Sequence, residues 1–242
     1  MGRKPKNPFE QDFVTFHADD HSYIDKENNK YISVSQLIHL YEIPFDESGI
    51  ILTMCAKREG IDKEVLRKRW NDKRDLSCLY GSAVHAEIEH FINTKKIRKS
   101  ANKEIVENFK NDIYPTFEYP VFSEVLVYSK DLLVSGLSDF VEYNKDKNEI
   151  RICDLKTNES LTKKAYNKLL YPLNHLKNDA ITRYSLQLSL YSYLLSLQGY
   201  NVNKNLNIFW VNPADKKIEI IKVDYMKKDI MTMLEHYSAD AF

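Results

Sequence analysis

The chain of 242 residues is short of several things, and each shortage excludes something. It has three cysteines, Cys55, Cys78 and Cys153, and no Cys-x-x-Cys pair. That odd, scattered set excludes a disulfide-stapled fold and a tetracysteine zinc site, and it fits a reducing compartment. Charge of one sign is also missing, since 35 Lys plus Arg balance 35 Asp plus Glu. A uniformly basic coat for nucleic acid is thereby excluded, but a local basic groove is not, because partners respond to where charges sit. No apolar run approaches the roughly 18 residues of a membrane helix. The start, Met1-Gly2-Arg3-Lys4-Pro5-Lys6, holds no apolar signal core. A cytoplasmic protein with no membrane partner is expected.

What is present is enough for a real core: 43% of residues are apolar and 29% charged, which suits one domain or a core with an appendage. Tyr23-Ile24 and Tyr31-Ile32 flank a polar turn and read as a hairpin after a loose polar start over 1–20. Ser33 with Gln36 forms a capping-box pattern for a helix reaching about Tyr41, before Pro44. Two more helices are expected over 50–75, and another from Gly81 to Asn93, with Val84, Ile88, Phe91 and Ile92 at helical spacing. A helical stretch over 101–113 and strands at 121–129, 133–143 and 149–155 follow. Residues 160–178 read as basic and either irregular or helical, Tyr184–Leu197 as a firm helix, and 205–211 with 217–223 as a hairpin. The expected fold class is α/β, a central mixed β-sheet flanked by helices. Residues 1–78 form an N-terminal hairpin and helical layer, and 79–242 the core.

The chemistry concentrates on one strand pair. Asp139 ends Gly136-Leu137-Ser138-Asp139, and Asp154 opens Asp154-Leu155-Lys156. Both aspartates are equidistant from the polar turn Asn144–Asn148, so an antiparallel hairpin sets them face to face. Alternation puts Lys156 on the face of Asp154. Two opposed carboxylates repel, and a hard divalent cation reverses the sign of that cost. Oxygen ligands without thiolates favour Mg²⁺ or Mn²⁺ over zinc. On the helix from Gly81, His85 and Glu89 lie four residues apart and share a face, so His85 can add a neutral imidazole. Gln187 and Tyr191 are again four apart on a later helix.

In chain order the residues are Gly81-Ser82-Ala83-Val84-His85, Glu124, Gly136-Leu137-Ser138-Asp139, Asp154-Leu155-Lys156-Thr157 and Gln187-Leu188-Ser189-Leu190-Tyr191. This series resembles the PD-(D/E)XK nuclease superfamily in its RecB-like, phage-type exonuclease branch. His21-Ser22-Tyr23, Ser33-Val34-Ser35 and Leu170-Tyr171-Pro172-Leu173 also resemble phage-encoded members. The resemblance implies a restriction-endonuclease-like core and metal-dependent hydrolysis of DNA phosphodiesters. By motif, His85, Asp139, Asp154 and the Leu155 carbonyl become metal ligands and Lys156 the catalytic lysine. Gln187 and Tyr191 support the site or touch the strand, Glu124 is a further acid of the site, and Glu89 sits where some relatives carry a helix acid. The iron–sulfur cluster of some relatives is excluded by cysteine count.

The function expected on this basis is a Mg²⁺-dependent DNA exonuclease leaving 5′-phosphates, with Mn²⁺ able to substitute. The setting is phage DNA recombination, replication or turnover, with a phage recombination or replication protein as a possible partner. A structure-specific endonuclease and a non-catalytic nucleic-acid-binding scaffold are the alternatives. Binding of DNA strand ends, single-stranded or being unwound, falls to local charge. Residues 155–183 and 57–74 each carry a net charge of +4. Lys163, Lys164 and Lys168 would contact the backbone, and Tyr166, Tyr171 and Tyr184 would stack on bases. The helical layer over 34–78 is expected to arch over the cleft.

Overall fold

The computed structural model describes residues 7–43, 49–163, 165 and 167–240; Pro44, Lys164 and Tyr166 lie outside them. The chain starts with a three-strand meander, β1 (Val14–His17), β2 (Ser22–Asp25) and β3 (Lys30–Ser33). The expected hairpin is β2–β3, with Tyr23 opposite Tyr31. The first strand lies in the stretch read as a loose start, where Val14 is buried against Tyr23 and Tyr31. Ser33 caps α1 (Val34–His39) with the anticipated reciprocal bonds to Gln36.

A short helix α2 (Ile50–Glu59) leads into α3 (Lys63–Thr94), 32 residues long. Two helices expected separately, near 75 and from 81, are therefore one, and α3 runs without a break through the expected domain boundary at 78–79. Its exposed stem is laced by Arg67–Glu64 and Lys68–Asp72 ion pairs at helical spacing. A helix-interior glycine at 81 costs about 1 kcal/mol against alanine. Here it has a packing reason, because a Cβ on Gly81 would stand 3.0 Å from Thr157 Oγ1. Helix α4 (Lys103–Asn108) continues into a π-helical turn, Phe109–Ile113, and a 3₁₀ turn, Tyr114–Thr116.

The core strands are β4 (Val121–Ser129), β5 (Val134–Asn144) and β6 (Glu149–Lys156). Helix α5 (Ala180–Leu197), capped by Asp179, precedes a short β7 (Asn201–Val202), the hairpin β8 (Leu206–Val211) and β9 (Ile218–Val223), and α6 (Lys227–Asp240). The mixed sheet runs β1-β2-β3-β5-β6-β8-β9, with β4 on the other edge of β5 and β7 beside β6. The pairs β3–β5 and β6–β8 are parallel, while β4–β5, β5–β6 and β8–β9 are antiparallel. One sheet face packs on α1, α5 and α6 through Val34, Leu186, Leu190 and Met233. The other packs on α3 and α4 through Val84, Ile88, Phe109 and Phe209. This is the expected α/β architecture, a central mixed sheet flanked by helices.

Two details of the sheet create an opening. The β5–β6 ladder stops at Phe140–Cys153, although both strands continue. Strand β3 takes over β5 only at Val134 and Ser135. Residues 136–139 thus border a fork between β5 and β6. In the same stretch the in–out alternation changes phase. Val125, Val127 and Val134 face α5, but past the fork it is Phe122 and Val141 that face α5, while Phe140 and Val121 face α3 and α4.

Candidate metal centre at the strand fork

Continuing the β5–β6 register by one step past its last pair sets Asp139 against Asp154, as the sequence implied. There is no ladder bond at this step. Instead Asp139 Oδ2 accepts the Leu155 backbone N–H at 2.7 Å, so the carboxylate spans the fork. His85, reaching in from α3, has Nδ1 3.5 Å from Asp139 Oδ1 and Nε2 3.1 Å from the Leu155 carbonyl oxygen. Asp139, His85 and both backbone groups of Leu155 therefore meet at one point.

Glu124 joins them from the opposite side. The β4–β5 register, Ser123–Phe140 and then Val125–Ser138, sets Glu124 directly across from Asp139. Its φ of 51° is left-handed, a conformation that costs a non-glycine residue about 1–3 kcal/mol and gathers at functional sites. This residue also marks the phase change of the pleat, so the strain aims the carboxylate. One ligand atom each from His85, Glu124 and Asp139 lies within 4.8 Å of the others, and this is the only such group among the described residues. Asp139 thus stands between two other acids, Glu124 on β4 and Asp154 on β6.

Asp154 and Lys156 lie next to this trio. Asp154 is 1% exposed. Its Oδ2 is 2.7 Å from Lys156 Nζ, yet at an angle that makes no hydrogen bond, so this buried oxygen has no hydrogen-bond partner. An orphaned buried acceptor is expensive, and it signals a missing partner. Lys156 Nζ also sits 4.5 Å from the centroid of the Tyr184 ring.

The electrostatics show how closely these acids are crowded. Burial and the Asp139 charge push the Asp154 carboxyl above the usual carboxylate range, against the pull of Lys156. Burial and the Asp139 charge likewise raise Glu124 to about 7. Burial alone would depress His85, but Asp139 beside it, with Asp154 behind, lifts the imidazole to about 9. Asp139 is held low: burial opposes ionisation, but His85, Lys156 and the Leu155 N–H outweigh it. A protonated His85 offsets the crowded acids. Two carboxylates, an imidazole and a carbonyl, with the Asp154 carboxylate adjoining, suit a hard divalent ion.

Helix α5 supports the fork from below. Tyr191 is buried and its hydroxyl accepts from Gln187 Nε2 at 3.3 Å. A Cβ on Gly136 would be 2.8 Å from Tyr191 Cε1, so the Gly-x-x-Asp and Gln-x-x-x-Tyr segments are halves of one contact. Tyr191 underpins the site rather than lining it. Glu89 is close enough to Glu124 to disfavour its charge. Lys163 is exposed and lies 3.8 Å from Glu159. Lys168 is exposed and pairs in a β-bridge with Lys177. Five of the eight basic residues in 57–74 have an acid partner, for example Arg69–Glu59 and Lys73–Glu159, but these exposed pairs are weak. Tyr171 is 70% exposed. Tyr184, expected as a stacking platform, has its ring turned to Lys156.

No protein-family model matches this chain, and no curated protein matches it. Among solved structures, one from Eubacterium rectale named "Putative exonuclease" is similar over 87% of this chain and 79% of its own, at 19% identity and a TM-score of 0.51. A second, SSO0001, is 13% identical, with a TM-score of 0.41 over 87% of this chain and 75% of its own. Among the described residues no helix is long and apolar enough to cross a membrane. The likeness to the first of these structures is one of fold: a mixed α/β core with an open central sheet between helices.

Proposed function

We propose that the chain is a Mg²⁺-dependent deoxyribonuclease of the PD-(D/E)XK type, and that it attacks DNA from strand ends. The observation that carries this reading is the fork itself. Three acids, a histidine and a lysine from α3, β4, β5 and β6 converge there, and one buried carboxylate oxygen has the Lys156 ammonium beside it but no hydrogen bond. A purely structural cluster has no reason to crowd Glu124, Asp139 and Asp154, where burial first and then mutual repulsion raise two of the three pKa values.

His85, Glu124, Asp139 and the Leu155 carbonyl would hold the ion, with Asp154 as the adjoining ligand. A bound divalent ion polarises phosphoryl oxygens and acidifies water. The chain's own part follows from its geometry. Asp139, pinned by the Leu155 N–H, keeps its carboxylate ionised and oriented. Lys156, 17% exposed at its side chain, presents an ammonium that can orient a nucleophilic water or offset charge gathering on the phosphate. The product expected is a 5′-phosphate.

Attack from strand ends is supported by the stem of α3. It lies against the segment after β6 through the Gly81–Thr157 approach and the Lys73–Glu159 ion pair at 2.9 Å, which closes one flank of the site. Exposed lysines such as Lys163 and Lys168 would follow the backbone. A role in DNA recombination, replication or turnover belongs to the same reading. The test is digestion of end-labelled linear and circular DNA with Mg²⁺ or chelator. Linear DNA should be degraded only with Mg²⁺, circular DNA should resist, and Asp154→Asn should be inactive yet folded. Equal degradation by Asp154→Asn would overturn the assignment of the site, and equal cutting of circles would overturn attack from ends.

A further inference from the structure

We infer that Tyr184 is a positioning residue for Lys156, rather than a platform for bases; this rests on the nuclease reading of the same site. A lysine has a long flexible stem and a point charge, so a site that uses its ammonium must restrain it. The restraint available from Asp154 alone is incomplete, because the 2.7 Å approach lacks hydrogen-bond geometry. The second restraint is the Tyr184 ring, whose centroid is 4.5 Å from Lys156 Nζ. That is within the range over which a ring face attracts an ammonium.

The ring is itself fixed at both ends, and the residue that holds its hydroxyl is fixed in turn. It rises from the first turns of α5, which Asp179 caps through the Thr182 N–H at 2.8 Å. Its hydroxyl donates to Asn158 Oδ1 at 2.8 Å. The Asn158 carbonyl in turn accepts Trp210 Nε1–H at 2.8 Å, and Trp210 is the residue on β8 opposite Lys156 in the parallel register. Lys156, Asn158, Tyr184 and Trp210 thus close a loop of contacts across β6, β8 and α5.

A ring face does something here that another carboxylate would not. It attracts the ammonium without adding negative charge to a site that must admit a phosphodiester. It also leaves the ammonium's N–H donors free for substrate or water. A ring that positions Lys156 acts on turnover, whereas a ring that stacks on a nucleobase acts on DNA binding, which separates the two roles experimentally.

Three measurements on the full chain decide it: kcat and KM on linear DNA with Mg²⁺, the thermal midpoint, and the NMR shift of the Lys156 Hε protons. Tyr184→Leu should lower kcat about 10- to 30-fold, the worth of a desolvated ring–ammonium contact, with KM and midpoint little changed. Tyr184→Phe keeps the ring and should stay within about fivefold of wild type, the worth of one hydrogen bond. The Lys156 Hε protons should be shifted upfield by the ring current in the wild type and Tyr184→Phe, and not in Tyr184→Leu. A rise in KM at unchanged kcat would assign Tyr184 to DNA instead and overturn the inference. Equal losses in Phe and Leu variants would assign it to the Asn158 bond and also overturn it. If the wild type cleaves no DNA, the nuclease reading falls by itself, and absence of the upfield shift in the wild type still overturns the positioning contact.

Discussion

Gly136→Ala tests the link between the helix that underpins the fork and the strand that carries Asp139. The backbone at Gly136 is not left-handed, so alanine meets no torsional penalty there. What it meets is Tyr191: the new Cβ would stand 2.8 Å from Cε1 and 3.3 Å from the hydroxyl oxygen, with Val34 Cγ2 at 3.4 Å behind. Carbon atoms pack best at about 3.5–4.0 Å. The ring is 4% exposed and tied to Gln187, so it cannot step aside freely. Overpacking of this kind costs about 1–3 kcal/mol, partly offset by the smaller chain entropy of unfolded alanine, about 0.4–1 kcal/mol. For a chain of this size 1 kcal/mol moves Tm by about 2–4 °C, so a fall of several degrees is expected in calorimetry. Asp139 lies three residues along the same strand, so cleavage should fall as well. Tyr191→Leu removes the colliding atom. In that background Gly136→Ala should cost nothing, a coupling of about 0.5–3 kcal/mol. A neutral Gly136→Ala, or the same penalty in both backgrounds, would refute the reasoning.

Lys156→Ala should abolish cleavage and also destabilise the metal-free fold. It strips Asp154, 1% exposed, of its ion partner, and breaking a buried pair costs about 3–5 kcal/mol in urea unfolding; an unchanged midpoint contradicts this. Glu124→Gln should weaken Mg²⁺ binding in calorimetry. It should also flatten the pH dependence of metal-free stability. Because folding raises the Glu124 pKa from 4.5 to about 7, the wild type loses stability as pH rises through that window, and the glutamine variant should lose less. Mg²⁺ binding should release protons near neutral pH, since His85 at about 9 and Glu124 at about 7 hold them in the free site, and affinity should rise with pH. Binding heats independent of buffer ionisation enthalpy would count against that.

Much of this was legible in the residues, for local reasons. The polar turn Asn144–Asn148 set the β5–β6 register, and with it the Asp139–Asp154 opposition, because antiparallel pairing counts outward from a turn. Ser33 and Gln36 announced α1 by side-chain bonds to their own backbone. The break expected before Gly81 did not occur, because a tertiary contact with Thr157 and ion pairs along the stem outweigh the glycine's propensity. Strand β1 lies in a stretch whose sequence reads as loose: Val14-Thr15-Phe16 alternates, but four residues between polar stretches give a weak pattern. Glu124 sits where the pleat changes phase at a left-handed φ, so alternation counted from Phe122 and from Val125 gives opposite faces for its side chain. Tyr184 carried no signal for Lys156, since that contact joins segments brought together only by the β6–β8 crossover.

A divalent cation at the fork is tested most directly by anomalous scattering from a crystal grown with Mn²⁺. A peak should lie about 2 Å from an Asp139 oxygen, with His85, Glu124 or the Leu155 carbonyl completing the shell. It should vanish in Asp139→Asn. A fork that stays free of anomalous density at saturating Mn²⁺ while Lys156 still fills the space beside Asp154 would contradict it.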